Sequence, residues 1–152
     1  MQHTLEHPLG LAHLAIALLA IISGTLVVLS RKGTSRHRWL GRAYAAAMIG
    51  VNLTAFSIYE LFGGFGLFHW MALASLLTVL AGCVPALSRK PGWKTRHAYF
   101  MAGSYVGLLA ALAAEILTRT PWLAFEEAVA VASFVVIFVG LVLMFRMIPR
   151  LL

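Results

Sequence analysis

Leu29-Ser30-Arg31-Lys32, followed after three residues by Arg36-His37, returns almost unchanged as Leu87-Ser88-Arg89-Lys90, followed after five residues by Arg96-His97. Each string joins the end of one long apolar run to the start of the next. The two strings therefore mark the same joint in two successive helix pairs, which indicates a tandem duplication. We expect one domain, with repeat one at about 9–62, repeat two at about 68–117 and an extra helix at about 124–146.

The composition is that of an integral membrane protein. Of the 152 residues, 61% are hydrophobic and only 11% are charged, whereas soluble domains carry about 25% charged residues. The apolar runs approach or exceed the roughly 20 residues that cross a hydrocarbon core. The sequence predicts an all-α membrane protein in which a four-helix transmembrane bundle, built from the tandem two-helix repeat, is joined by a fifth transmembrane helix. The predicted spans are about 9–29, 39–62, 68–87, 98–117 and 124–146.

The basic residues lie at alternate ends of these runs. Only Arg119 lies at the other ends, where all five acidic residues also lie. This asymmetry follows the positive-inside rule, which places the N-terminus outside and the C-terminus in the cytoplasm. The net charge of +7 thus reflects topology in a lipid bilayer, and nucleic acid is not an expected partner. The basic residues at the cytoplasmic ends are Arg31, Lys32, Arg36, Arg38, Arg42, Arg89, Lys90, Lys94, Arg96, Arg146 and Arg150.

The duplication also pairs four histidines. Each repeat contains two spans, so the two copies have the same orientation and equivalent residues lie at the same depth. His13 and His69 share the outer level, while His37 and His97 share the inner level. Facing imidazoles inside a helical bundle are the usual axial ligands of a b-type haem. We therefore expect one or two haem b groups, held by His13 with His69 and by His37 with His97.

Haem at these levels would carry electrons across the membrane, between a donor and an acceptor such as a quinone. Tyr44 lies two helical turns from His37 on the same face, and Arg42 lies close enough to the inner level to meet an anionic haem propionate. Both are candidate haem-binding residues. The sequence contains no nucleophile paired with a base and no phosphate-binding loop. The only enzymatic activity that we expect is therefore that of a haem-dependent membrane oxidoreductase. The single Cys83 cannot form an internal disulfide.

The sequence also shows two resemblances to known families. The pattern of four histidines over residues 13–97 is similar to that of the two-haem transmembrane cytochromes b of the ascorbate-reducible type, in which four core helices supply one histidine each. The string His37-Arg38-Trp39-Leu40-Gly41-Arg42-Ala43-Tyr44 strongly resembles the signature of a bacterial membrane-protein family, domain of unknown function 2306. That second resemblance implies a small protein of the bacterial inner membrane and carries no assigned activity.

Two other functions remain open at this stage. His3, Glu6 and His7 form the spacing His-x-x-Glu-His. With His13, Glu60 and His69 nearby, they could bind or help transport copper or zinc at the outer face. Alternatively, the histidines only anchor the helix ends of a cofactor-free structural or assembly subunit, which could also form a homo-oligomer.

Overall fold

The computed structural model describes residues 8–58 and 64–151. Within these ranges the chain is entirely helical, without strands, which confirms the predicted all-α class. The five helices are α1 (Pro8–Leu29), α2 (Ser35–Ala55), α3 (Leu67–Ser88), α4 (Trp93–Leu117) and α5 (Phe125–Leu151). All except α2 are long and apolar enough to cross a membrane.

Helix α2 differs most from its predicted span, since it begins four residues earlier and ends at Ala55 instead of Phe62. It begins early because the Thr34 hydroxyl accepts a hydrogen bond from the His37 backbone N–H at 3.2 Å, which caps the helix. At the other end, the last amides bond to carbonyls three residues back, so the helix tightens and stops. Hydropathy alone indicates neither the cap at the start of α2 nor the tightened turn at its end. Phe62 itself lies outside the described residues.

The chain divides into two compact units, Met1–Val79 and Leu80–Leu152, so the boundary falls inside α3. In the first unit α1 and α2 pack antiparallel: His37 contacts Ser30 at one end, and His13 contacts Thr54 at the other. Gly50 allows the close approach, because a Cβ atom there would lie 3.2 Å from the Ile16 side chain. Buried members of this core include Ala20, Tyr44, Met48 and Asn52.

In the second unit α4 and α5 also pack antiparallel. The rings of Tyr99 and Phe145 lie 5.7 Å apart, and further along the pair Gly140 lies directly against the Val106 side chain. The C-terminal half of α3 meets α4 where Gly82 faces Met101. The extra helix α5 is thus part of a tight helix pair with α4.

The two joints turn through residues with left-handed backbone conformation. Gly33 has φ 79° in the first joint, and Gly92 has φ 74° immediately before α4, a region that glycine enters without a steric penalty. Pro85 lies inside α3. Glu126 and Glu127 occupy the first turn of α5, where carboxylates suit the helix dipole.

Candidate functional site at the helix-end histidines

His13 lies in the second turn of α1 and is held by a hydroxyl from α2. Its Nδ1 is 2.7 Å from the Thr54 Oγ1. The Thr54 hydroxyl donates its single hydrogen within its own helix, to the Gly50 or Val51 carbonyl at 2.9 Å. In the tautomer that carries its hydrogen on Nδ1, the His13 ring donates to the Thr54 oxygen.

His37 repeats this arrangement at the first joint. Its Nδ1 lies 3.2 Å from the Ser30 Oγ, and the Ser30 hydroxyl donates to the Val27 carbonyl at 2.9 Å. In the corresponding tautomer, the His37 ring donates Nδ1–H to the Ser30 oxygen. The bond also ties the third residue of α2 to the end of α1.

His97 reaches the same state through a backbone acceptor. Its Nδ1 donates to the Gly82 carbonyl of α3 at 2.8 Å, and a carbonyl can only accept. The second joint is two residues longer than the first, so His97 lies deeper in its helix and bonds to Gly82 rather than to the equivalent Ser88. Gly82 is six residues before Ser88, or about 9 Å along α3.

These three hydrogen bonds have the polarity found around metal-binding histidines. A histidine that binds a metal through one ring nitrogen usually donates the other N–H to a carbonyl, carboxylate or water, which fixes the tautomer and the ring orientation. The His97 ring donates Nδ1–H to a carbonyl oxygen, and the His13 and His37 rings place Nδ1 beside a hydroxyl oxygen. In the tautomer with the hydrogen on Nδ1, Nε2 is the acceptor nitrogen of each ring.

His69 has the opposite polarity. The Gly66 backbone N–H donates to its Nδ1 at 3.1 Å, so in the neutral ring the hydrogen is on Nε2. The side chain is 2% exposed and stacks on Phe65 with centroids 4.8 Å apart. Gly66 immediately precedes α3 and His69 is the third helical residue, so the bond reproduces half of a capping box, in which the third side chain reaches back to the N-cap amide. This geometry favours a structural role for His69.

The two other candidate haem-binding residues lie on different sides of α2. Tyr44 is 2% exposed and lies two turns from His37 on the same side of the helix. Arg42 is exposed, and its guanidinium carbon lies 5.6 Å from the centroid of the Trp39 ring. At about 100° per residue, that pair faces away from His37.

The metal-binding alternative depends on residues that are not described. His3, Glu6 and His7 fall outside the described ranges, as does Glu60. Among residues 8–58 and 64–151, no group of three or more His, Cys, Asp or Glu side chains comes together. The expected pairing of His13 with His69 and of His37 with His97 stays a prediction.

The hydrogen-bond partners of the histidines could not be identified from the sequence. Ser30 was visible in the repeated joint, seven residues before His37, but a serine there reads equally well as part of a turn. Thr54 lies 41 residues from its histidine, and the Gly82 acceptor is a backbone atom. No sequence pattern reports either contact.

Residues 10–148 match the family described as "Predicted membrane protein (DUF2306)". The chain belongs to this family. The match extends from α1 to α5 of the DUF2306 protein, so it includes all four histidines discussed above. It confirms the family suggested by the string from His37 to Tyr44. No curated protein and no solved structure matches the chain.

Proposed function

We propose that this DUF2306 protein binds b-type haem in the membrane and transfers electrons across the bilayer. The observation that supports this function is the shared arrangement of His13, His37 and His97, each with Nδ1 within hydrogen-bond distance of an oxygen atom on a neighbouring helix or joint. Bound haem supplies one-electron chemistry at a potential set by its axial ligands and their hydrogen bonds. The family match and the helical fold are compatible with this role.

The side chains divide into ligands and positioning groups. His13, His37 and His97 would bind iron through Nε2. Thr54 and Ser30 would hold two of these rings in orientation, and the Gly82 carbonyl would hold the third. A hydrogen bond from Nδ1–H increases the basicity of the imidazole and so strengthens its bond to the metal.

We also propose an orientation and a setting for this activity. The protein would lie in the bacterial inner membrane, with its N-terminus outside and its C-terminus in the cytoplasm, because the basic joints favour the cytoplasmic side. An electron donor at one face and an acceptor such as a quinone at the other would complete the reaction.

Substitution of each histidine by asparagine tests the ligand assignment. The Asn side-chain amide can replace Nδ1 either as donor or as acceptor, so each hydrogen bond can be retained while the iron-binding nitrogen is removed. We expect the purified wild-type protein to show a Soret band and split visible bands after dithionite reduction. His13→Asn, His37→Asn and His97→Asn should each reduce haem per chain or change its spectrum, whereas His69→Asn should leave both unchanged.

Two results would contradict this function. One is a wild-type protein that stays colourless when haem is supplied during expression. The other is a haem spectrum that survives all three ligand substitutions.

A structural role is the second candidate, and one specific observation favours it. Each of the three hydrogen bonds joins neighbouring helices: His13 and His37 join α1 with α2, and His97 joins α4 with α3. In that case the wild type would be colourless, the asparagine variants would fold normally, and leucine at the same positions would lower stability by about 1 kcal/mol per lost hydrogen bond.

A further inference from the structure

The first joint and the start of α2 carry a concentrated positive charge. Five basic residues occur within residues 31–42, and no Asp or Glu occurs between residues 7 and 59. All five side chains are exposed. In the described part of the chain, Arg119 forms an ion pair with Glu115, away from this joint. The charge is thus left to be balanced by an anion from outside the segment.

Two of the five basic side chains are used to hold the joint itself. The Lys32 ammonium donates to the Val27 and Val28 carbonyls at 3.0 and 2.8 Å, and partial burial lowers the pKa of this amine. Arg38 donates to the Gly33 carbonyl at 2.9 Å and to the Ser35 hydroxyl at 3.0 Å. Arg31, Arg36 and Arg42 are the remaining cations.

Arg42 is combined with an exposed aromatic ring. Trp39 is 70% exposed, and the Arg42 guanidinium lies over its ring at 5.6 Å, which is within the range of a cation–π contact. Trp39 and Arg42 share the side of α2 that faces away from buried Tyr44, and Arg36 lies one helical turn before Trp39. Tryptophan rings favour the headgroup level of a bilayer, where one edge is apolar and the other is hydrated.

We propose that Arg36, Trp39 and Arg42 form a binding surface for the headgroup of an acidic phospholipid. A cluster of four to eight basic residues beside a transmembrane helix recruits anionic lipid, with about 1 kcal/mol for each basic residue near the surface. A zwitterionic headgroup carries its own cation and gains less from such a surface. The Trp39 ring adds an apolar contact at the depth of the lipid glycerol. This surface does not depend on haem binding.

The second joint does not present the same combination. Trp93 is only partly exposed and is turned toward the His97 ring, with centroids 6.3 Å apart. Arg96 donates to the Pro91 carbonyl at 2.9 Å. The second joint therefore supplies a control: Lys94 is an exposed cation in the first turn of α4, for which no aromatic contact is seen.

Native mass spectrometry of the full chain released from detergent can count bound lipids. We would titrate it with phosphatidylglycerol, with phosphatidylcholine of the same acyl chains, and with phosphatidylglycerol in excess inorganic phosphate. Arg42→Gln should weaken phosphatidylglycerol binding roughly fivefold, the equivalent of about 1 kcal/mol, and Trp39→Leu should also weaken it. Arg42→Lys retains the charge and should bind more tightly than Arg42→Gln.

The matched controls are Lys94→Gln, which removes one positive charge at the other joint, and Trp122→Leu, which removes a ring that is 84% exposed beyond α4. Both should bind lipid within about twofold of the wild type, less than the loss expected for one surface cation. Equal retention of the two lipids would overturn the assignment, and so would equal losses in Arg42→Gln and Lys94→Gln. Displacement of the lipid by inorganic phosphate would show that a free phosphate is sufficient and would overturn the lipid assignment.

Discussion

At the scale of single residues, the four histidines differ in which ring nitrogen carries the hydrogen. The repeat makes them look alike, but His69 accepts a hydrogen bond from a backbone amide, whereas His97 donates one to a backbone carbonyl. Its acceptor role follows from its position as the third residue of α3, close to an amide that has no partner inside the helix. Equivalent positions in a duplicated sequence can therefore have different chemistry.

This difference predicts the behaviour of two substitutions at residue 69. His69→Leu leaves the Gly66 amide without its acceptor and should destabilise the protein by about 0.5–2 kcal/mol, the range for loss of a helix cap. His69→Asn can accept the same hydrogen bond and should stay within about 0.5 kcal/mol of the wild type. Unfolding in mixed micelles, followed by circular dichroism, measures both. Equal destabilisation by Leu and Asn would contradict the capping role.

At the scale of helices, close packing in the second unit depends on one glycine. A Cβ atom at Gly140 would lie 3.1 Å from the Val106 Cβ and closer still to its two methyl groups. Valine is stiff about χ1 and cannot turn aside without a change of rotamer. The α4–α5 pair can keep its present spacing only while residue 140 has no side chain.

Gly140→Ala should therefore destabilise the α4–α5 pair by about 1–3 kcal/mol, the usual cost of overpacking. The matched control is Gly107→Ala in α4, where a new Cβ atom would meet nothing within 4 Å. Alanine is the better helix former by up to about 1 kcal/mol, so Gly107→Ala should be neutral or stabilising. The same unfolding assay compares the two variants, and a stable Gly140→Ala protein would show that the helices can separate without cost.

At the scale of the whole molecule, α2 decides the topology. It is the one described helix that is long enough but not apolar enough for a membrane span, because Arg36, Arg38 and Arg42 occupy its first turns. The positive-inside rule places both basic joints in the cytoplasm. The helices α2 and α3 lie between the two joints, and α3 is apolar enough to span the bilayer. The joints can then share one side only if α2 spans the bilayer as well. We expect α2 to cross as the packed partner of α1.

Cysteine labelling tests this topology. In a Cys83→Ser background, a membrane-impermeant maleimide applied to intact cells should label Thr120→Cys. It should label Ser35→Cys and Lys90→Cys only after the membrane is opened. If α2 does not cross, positions 35 and 90 will lie on opposite sides, and one of them will be labelled in intact cells.

The sequence by itself determined the class, the approximate helices and the candidate histidines. Hydropathy and charge are properties of local stretches, so long apolar runs and the repeated Leu-Ser-Arg-Lys joint are visible without coordinates. The predicted end of α2 was wrong by seven residues, because helix ends depend on individual hydrogen bonds.

Only the tertiary structure decided what each histidine does locally. Its ring state depends on an oxygen or an amide within about 3 Å, and that atom came from a residue 41 positions away for His13 and 15 positions away for His97. The close approach at Gly140 likewise requires two helices to meet. Such contacts depend on packing in three dimensions, whereas the sequence specifies directly only the order of residues along one chain.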